Sequence, residues 1–157
     1  MSTDKITLTA GQQAALEAIR SGRNVFLTGG GGVGKSFLTS RIIGELQAED
    51  KEVMVCASTG LAATLIGGVT CHRAFRIPLD FVWECSPDPP PEVRKTDAVI
   101  IDEASMLRMD VFDYIVQCIE AVSHPIQLIV VGDFFQLPPV LASKKTGKDP
   151  RTTPGNR

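Results

Sequence analysis

Apolar residues along the chain fall into two kinds of segment. Four are short continuous runs: Val25-Phe26-Leu27-Thr28 after Asn24, Val53 to Ala57, Ala98 to Ile101, and Ile126 to Val131. Runs of this length without polar alternation are what strands covered on both faces look like. The other segments carry helical spacing. Ala15, Leu16 and Ile19 predict a helix over 11–21, introduced by the capping-box pattern Thr9-x-x-Gln12. Residues 37–48 read as an amphipathic helix, and Val111, Phe112, Ile115, Val116 and Ile119 predict another over 109–122. Shorter helical pieces are expected over 61–66, broken by Gly67-Gly68, and over 71–75. Pro78, Pro87, Pro89, Pro90 and Pro91 predict that 77–96 is mostly loop. Strands alternating with helices give an α/β class: a parallel sheet with helices on both faces. Beyond Val140 the periodicity stops, and 146–157 reads as disordered. No internal repeat is visible.

Composition changes this picture only at the margins. A chain of 157 residues suits one domain, burying about two-thirds of its unfolded surface. At 43% apolar and 22% charged it falls among ordinary globular proteins rather than disordered or fibrous ones. A net charge of −2 argues against global attraction to nucleic acid or membrane. The charge is unevenly spread: Lys144, Lys145, Lys148, Arg151 and Arg157 against Asp149 make 144–157 a basic tail, read as solvated and disordered or as a non-native end. Residues 1–143 are expected to form the domain. Cys56, Cys71, Cys85 and Cys118 show no C-x-x-C pairing and no metal-ligand spacing with His72 or His124. Cys56 and Cys118 sit in apolar runs and read as small core residues in a reducing compartment. No stretch approaches the roughly 18 apolar residues of a membrane span, and the N-terminus resembles neither a secretory signal nor a transit peptide. A cytoplasmic or nuclear setting is the expectation.

The chemistry starts at residues 29 to 36, G-G-G-G-V-G-K-S, which satisfy the phosphate-loop pattern G-x-x-x-x-G-K-[S/T]. A polyphosphate needs a concave row of backbone N–H groups, and glycines let the chain curl that tightly. The candidate nucleotide-binding run is Gly29, Gly30, Gly31, Gly32, Val33, Gly34, Lys35, Ser36 and Phe37. In it Lys35 reaches the β/γ-phosphates and the Ser36 hydroxyl holds Mg²⁺. The strand before and the helix after are the context such a loop requires, with the helix N-terminus facing the anion. A nucleoside triphosphate is the expected ligand.

Three further motifs lie at predicted strand ends, where open α/β sheets bind ligands. Asp102-Glu103 closes the run Ala98 to Ile101: Asp102 is a candidate for the Mg²⁺ shell, usually through water, and Glu103 for the general base. Gln136, in G-D-F-F-Q-L-P-P-V, suits a sensor of the γ-phosphate, although a turn glutamine reads the same way. Ser58-Thr59-Gly60 follows the run Val53 to Ala57, and its amides and the Thr59 hydroxyl could take a phosphate of a second ligand. Thr70, His72, Arg73 and Phe75 offer hydroxyl, imidazole, guanidinium and ring within six residues, a mix that suits a single strand. Read from the residues alone, His72 and Phe75 are equally at home in a core. Trp83 could stack on a base or be buried.

Together these stretches resemble the Pif-type (petite integration frequency) DNA helicases of superfamily one, subclass B, in order from Leu8 to Val140. L-T-A-G-Q-Q-A-A-L resembles the family's adenine-recognising motif, carried by Gln12; G-G-G-G-V-G-K-S is similar to motif I and A-S-T-G-L-A-A-T-L-I-G-G-V-T-C-H-R-A-F to motif Ia and the segment after it. I-I-D-E-A-S-M-L resembles motif II, and G-D-F-F-Q-L-P-P-V motif III. Exonuclease-associated helicases of the RecD type share the layout. The resemblance implies a RecA-like P-loop NTPase domain whose sensor strand lies between the phosphate-loop and Asp102-Glu103 strands. It implies ATP with Mg²⁺, 5′-to-3′ movement on single-stranded DNA, and DNA contacts from Thr59, Gly60, His72 and Phe75. A second RecA-like domain of the same parent chain is the implied partner; without it the chain is expected to be an N-terminal fragment that binds ATP weakly and does not unwind. The rival expectation is a nucleotide-switched binding module without translocation.

Overall fold

The computed structural model describes residues 7–29, 34–80 and 86–133. Trp83, Cys85, Gln136, Gly30 to Val33 and the basic tail lie outside the described residues. The first helix, α1 (Ala10–Arg20), starts as its sequence demands. The Thr9 hydroxyl accepts from the Gln12 amide and the Gln12 side chain accepts in return from the Thr9 N–H, a complete capping box. Then follow β1 (Val25–Thr28), α2 (Lys35–Ala48), β2 (Val53–Ala57), α3 (Gly60–Ile66), β3 (Val69–Thr70) and α4 (Cys71–Ala74). The chain continues through α5 (Pro91–Arg94), β4 (Ala98–Asp102), a 3-10 turn at Ala104–Met106, α6 (Met109–Glu120) and β5 (Gln127–Gly132).

The five strands form one parallel sheet in the order β1-β5-β4-β2-β3. Side chains of a strand alternate between faces, and here the alternation divides the core in two. Val99, Ile101 and Val130 face α4 and α6, packing with Phe75, Val93, Val111 and Ile115. Ala98, Ile100, Ile129 and Val131 face the other way, onto Leu16, Ile19, Leu38 and Ile42 of α1 and α2. Because β4 is central it is covered on both sides, which is why its run is uninterruptedly apolar.

The structure adds two short elements to the sequence reading. Residues 77–96 do contain a helix: Pro91 stands at the first helical position, where a missing N–H costs nothing and the fixed φ favours the turn. Val69–Thr70 pairs with Cys56 and Ala57 as a two-residue edge strand, too short to show periodicity. α2 also begins at Lys35, two residues before the expected start, which brings the lysine and Ser36 into its first turn. Two side chains tie β5 to the loop before β1. The Asn24 side-chain Oδ1 accepts from the Leu128 N–H at 2.9 Å, and the buried Gln127 side-chain amide donates to the backbone carbonyls of Ile19 (2.9 Å) and Arg23 (2.8 Å). Among the described residues no helix is long and apolar enough to cross a membrane.

Candidate nucleotide and nucleic-acid site

Parallel strands put all their C-terminal ends on one edge, and the register aligns them here. Thr28 of β1 lies opposite Gly132 of β5, Ile101 of β4 opposite Val130, and Ala57 of β2 opposite Asp102. Four candidate segments therefore leave the same edge: Gly29 after β1, Asp102-Glu103 at β4, Ser58-Thr59-Gly60 after β2, and Thr70 to His72 at β3. β1 and β4 are separated only by β5, roughly 10 Å from backbone to backbone.

At β1, Gly34 takes up the left-handed conformation (φ 76°) and directs the chain into α2. Lys35 is half-buried and its ammonium donates to the Gly29 carbonyl at 2.7 Å, drawing the two ends of the loop together. The Ser36 side chain is exposed on the same first turn. A cavity of about 350 Å³ opens beside them, lined by Thr9, Gln12, Phe26, Lys35 and Leu38 among others. Gln12 thus joins the phosphate-loop lysine in one cavity while its oxygen completes the α1 cap. The capping reading and the adenine expectation fall on one side chain, and the cap is what holds it in position.

At β4, Asp102 Oδ1 accepts from the Glu103 N–H at 2.9 Å, which orients the carboxylate. Glu103 is exposed and has a left-handed backbone (φ 51°). From β2, the Ser58 N–H donates to the Asp102 carbonyl at 3.2 Å and its hydroxyl to the Glu103 carbonyl at 2.6 Å. The letters place Ser58 only within a candidate phosphate-binding stretch, because nothing in them ties it to a residue 45 positions away.

On the β2–β3 side, the Thr59 hydroxyl accepts from the Ala62 N–H at 3.2 Å and caps α3; Gly60 is exposed at the first position. Thr70 caps α4 the same way through the Arg73 N–H, and His72 is half-exposed on that turn. Phe75 corrects the expectation: at 1% exposure its ring is packed with Cys56, Cys71 and Val99 and offers no face to a base. Just before β3 the chain runs close against β2, where a β-carbon on Gly68 would lie 2.3 Å from the Val55 carbonyl oxygen. Cys56, Cys71 and Cys118 are buried and free, as core residues. Hydrogen bonding to Cys71, together with burial, pushes the Cys56 thiol well above its usual range, and burial raises Cys118.

Comparison with known proteins agrees with this geometry. The model of the PIF1-like helicase family matches residues 7–152. The chain belongs to that family. It is 43% identical over 151 residues to an ATP-dependent DNA helicase PIF1 of Danio rerio, covering 88% of this chain and 23% of that protein. It superposes on unliganded Pif1 from Bacteroides sp. with a TM-score of 0.73 at 34% identity, over 88% of this chain and 34% of that one. A Bacteroides Pif1 complex with ADP-AlF3 and single-stranded DNA matches at TM-score 0.71 and 32% identity, over 90% of this chain and 36% of that one. The chain therefore spans about a quarter to a third of the PIF1-like proteins it resembles. The fold is the RecA-like P-loop NTPase fold of those structures, and β5 stands between β1 and β4, the order that the sequence resemblance implied.

Proposed function

We propose that this chain is the ATP-binding first motor domain, residues 1–143, of an ATP-dependent 5′-to-3′ DNA helicase. The observation that carries the proposal is the common edge on which the Lys35–Gly29 clasp and the Asp102-Glu103 pair emerge one strand apart. The loop residues Gly29 to Phe37 would wrap the phosphates, with Gln12 at the adenine. A triphosphate oxygen would replace the Gly29 carbonyl as the acceptor for Lys35. The Ser36 hydroxyl and the Asp102 carboxylate are hard oxygen donors of the kind Mg²⁺ takes. Bound there, Mg²⁺ would neutralise charge developing on the β/γ-phosphates. Glu103 would accept the proton of the attacking water, and Gln136 would report loss of the γ-phosphate.

Thr59, Gly60 and His72 are the proposed contacts to single-stranded DNA. That the matching Bacteroides complex holds both ADP-AlF3 and single-stranded DNA supports the pairing of the two ligands. The partner completing the site would be a second RecA-like domain of the parent chain. An arginine supplied from outside such a site is worth about 10³–10⁵ in rate for related NTPases, so the 157-residue chain alone should leave duplexes intact; with the second side of the nucleotide cleft missing it should also bind ATP weakly. The test is ATP turnover and strand displacement by the full-length protein, with and without single-stranded DNA. Turnover stimulated by DNA, and displacement from a 5′ tail, are expected. Turnover indifferent to DNA would favour the nucleotide-switched binding module instead.

A further inference from the structure

Glu103 occupies a backbone conformation that non-glycine residues avoid, φ 51° and ψ 38°. That conformation is unfavourable for an L-residue and persists only where the surroundings impose it. The imposing contacts are three. Asp102 Oδ1 accepts from the Glu103 N–H, the Met106 N–H of the following 3-10 turn donates to the Glu103 carbonyl at 3.1 Å, and the Ser58 hydroxyl donates to that same carbonyl at 2.6 Å. The first two come from the segment Glu103 itself belongs to. Among the described residues, Ser58 alone reaches in from outside that segment, from just past the end of β2.

Its position directly after β2 gives that contact a second meaning. The β2–β4 ladder pairs Ala57 with Asp102, and Ser58 extends it one step through its N–H to the Asp102 carbonyl. Ser58 is thus clamped by backbone and side chain to both residues of the acidic pair. The next residue, Thr59, has its hydroxyl and its carbonyl committed to the first turn of α3, through Ala62 and Ala63. Between the α3 cap and the Glu103 carbonyl there is one residue and one hydroxyl.

We propose that Ser58 is a positioning residue for the hydrolytic step: its hydroxyl fixes the backbone from which the Glu103 carboxylate is aimed, and it links that aim to whatever occupies the Thr59–Gly60 edge. Ser58 does not touch the reacting atoms; it acts through the Glu103 carbonyl. A displacement of Thr59 by a bound strand would turn Ser58, lengthen or shorten its bond to Glu103, and re-aim the carboxylate. This rests on the reading of Asp102 and Glu103 as the hydrolytic pair.

The test uses the full-length protein carrying this domain, with oligothymidylate as the single-strand probe. Ser58→Ala is expected to lower DNA-stimulated kcat about 10- to 100-fold, the usual scale for a slightly misplaced group, with KM for ATP and oligothymidylate affinity within about twofold of wild type. Ser58→Thr, which keeps the hydroxyl, should restore most of the stimulation, and Ser58→Cys, a weaker donor of similar bulk, should fall between. A merely structural cap would behave differently: turnover would fall only in step with thermal stability, and equally in the cysteine variant. That pattern, or full stimulation in Ser58→Ala, overturns the inference alone. Wild-type protein whose ATP turnover ignores oligothymidylate overturns the functional reading and this inference with it.

Discussion

A β-carbon placed on Gly34 would sit 3.0 Å from the side-chain nitrogen of Gln12, so the cap of the first helix and the end of the phosphate loop are in contact. Gln12 is held by the Thr9 N–H on its oxygen side, which leaves it little room to retreat. The α1 terminus and the glycine loop behave as one unit, and the sequence separation between them hides this.

Gly34→Ala should therefore be harmful twice over, through the left-handed φ of 76° and through crowding of Gln12. A loss of about 1–2 kcal/mol is expected from the backbone alone, measured by urea unfolding. Nucleotide affinity, measured by titration with a fluorescent ATP analogue, should fall as well. An alanine variant as stable and as tight-binding as wild type would falsify the account of this contact.

Lys35→Ala removes the ammonium that donates to Gly29. ATP binding should become undetectable by calorimetry while the circular dichroism spectrum stays that of the folded protein, since the charge-assisted hydrogen bond it makes is worth only about 1.5–3 kcal/mol. Nucleotide affinity unchanged in this variant contradicts the role given to the lysine.

Gly68 has no room for a side chain: the Val55 carbonyl oxygen would lie 2.3 Å from its β-carbon. Gly68→Ala must push β3 off β2, with an expected cost of about 1–3 kcal/mol. Because Cys71 and Phe75 follow on the same segment, accelerated amide exchange around them is the local signature to look for. Exchange rates matching wild type would count against the close approach.

Gln127 is the buried amide that serves two carbonyls, those of Ile19 and Arg23. Gln127→Leu keeps the volume but strands both acceptors, and about 2–3 kcal/mol of stability should be lost. The denaturation midpoint should drop with an unchanged slope, since the compactness of neither state is altered. A leucine variant of wild-type stability would mean water reaches those carbonyls.

The Arg20 guanidinium grips Glu45 through two hydrogen bonds, 2.7 and 3.0 Å, and joins α1 to α2. That hydrogen bond, reinforced by Arg41, holds the Glu45 carboxyl below its ordinary range. A carboxyl depressed in the folded state contributes stability above its unfolded pKa and loses it as pH falls through the folded value. Glu45→Gln should thus be slightly less stable than wild type at neutral pH, the gap closing below about pH 4, near the ordinary carboxylate value, and in high salt. A gap that persists in acid and in molar salt would show packing, not charge, to be the cause.

The chain's letters were enough for elements whose cause is local. Val53–Ala57 and Ala98–Ile101 announce buried strands by unbroken apolarity, and Thr9-x-x-Gln12 announces a helix start by a bond three residues long. The glycine loop and the acidic pair were legible as chemistry, because each is a contiguous motif. The sheet edge they share was legible from their places at the ends of parallel strands, whereas the order of those strands was legible only through resemblance to a family. Tertiary structure alone decided the rest. Phe75 is core because the sheet brings Cys56, Val99 and Ile101 to it; Gln127 is an anchor because the end of α1 comes within its reach; Ser58 reaches Glu103 because β2 lies beside β4. Each depends on a partner tens of residues away, and a side chain's role follows from what packing brings within hydrogen-bond reach, a quantity that no local periodicity encodes.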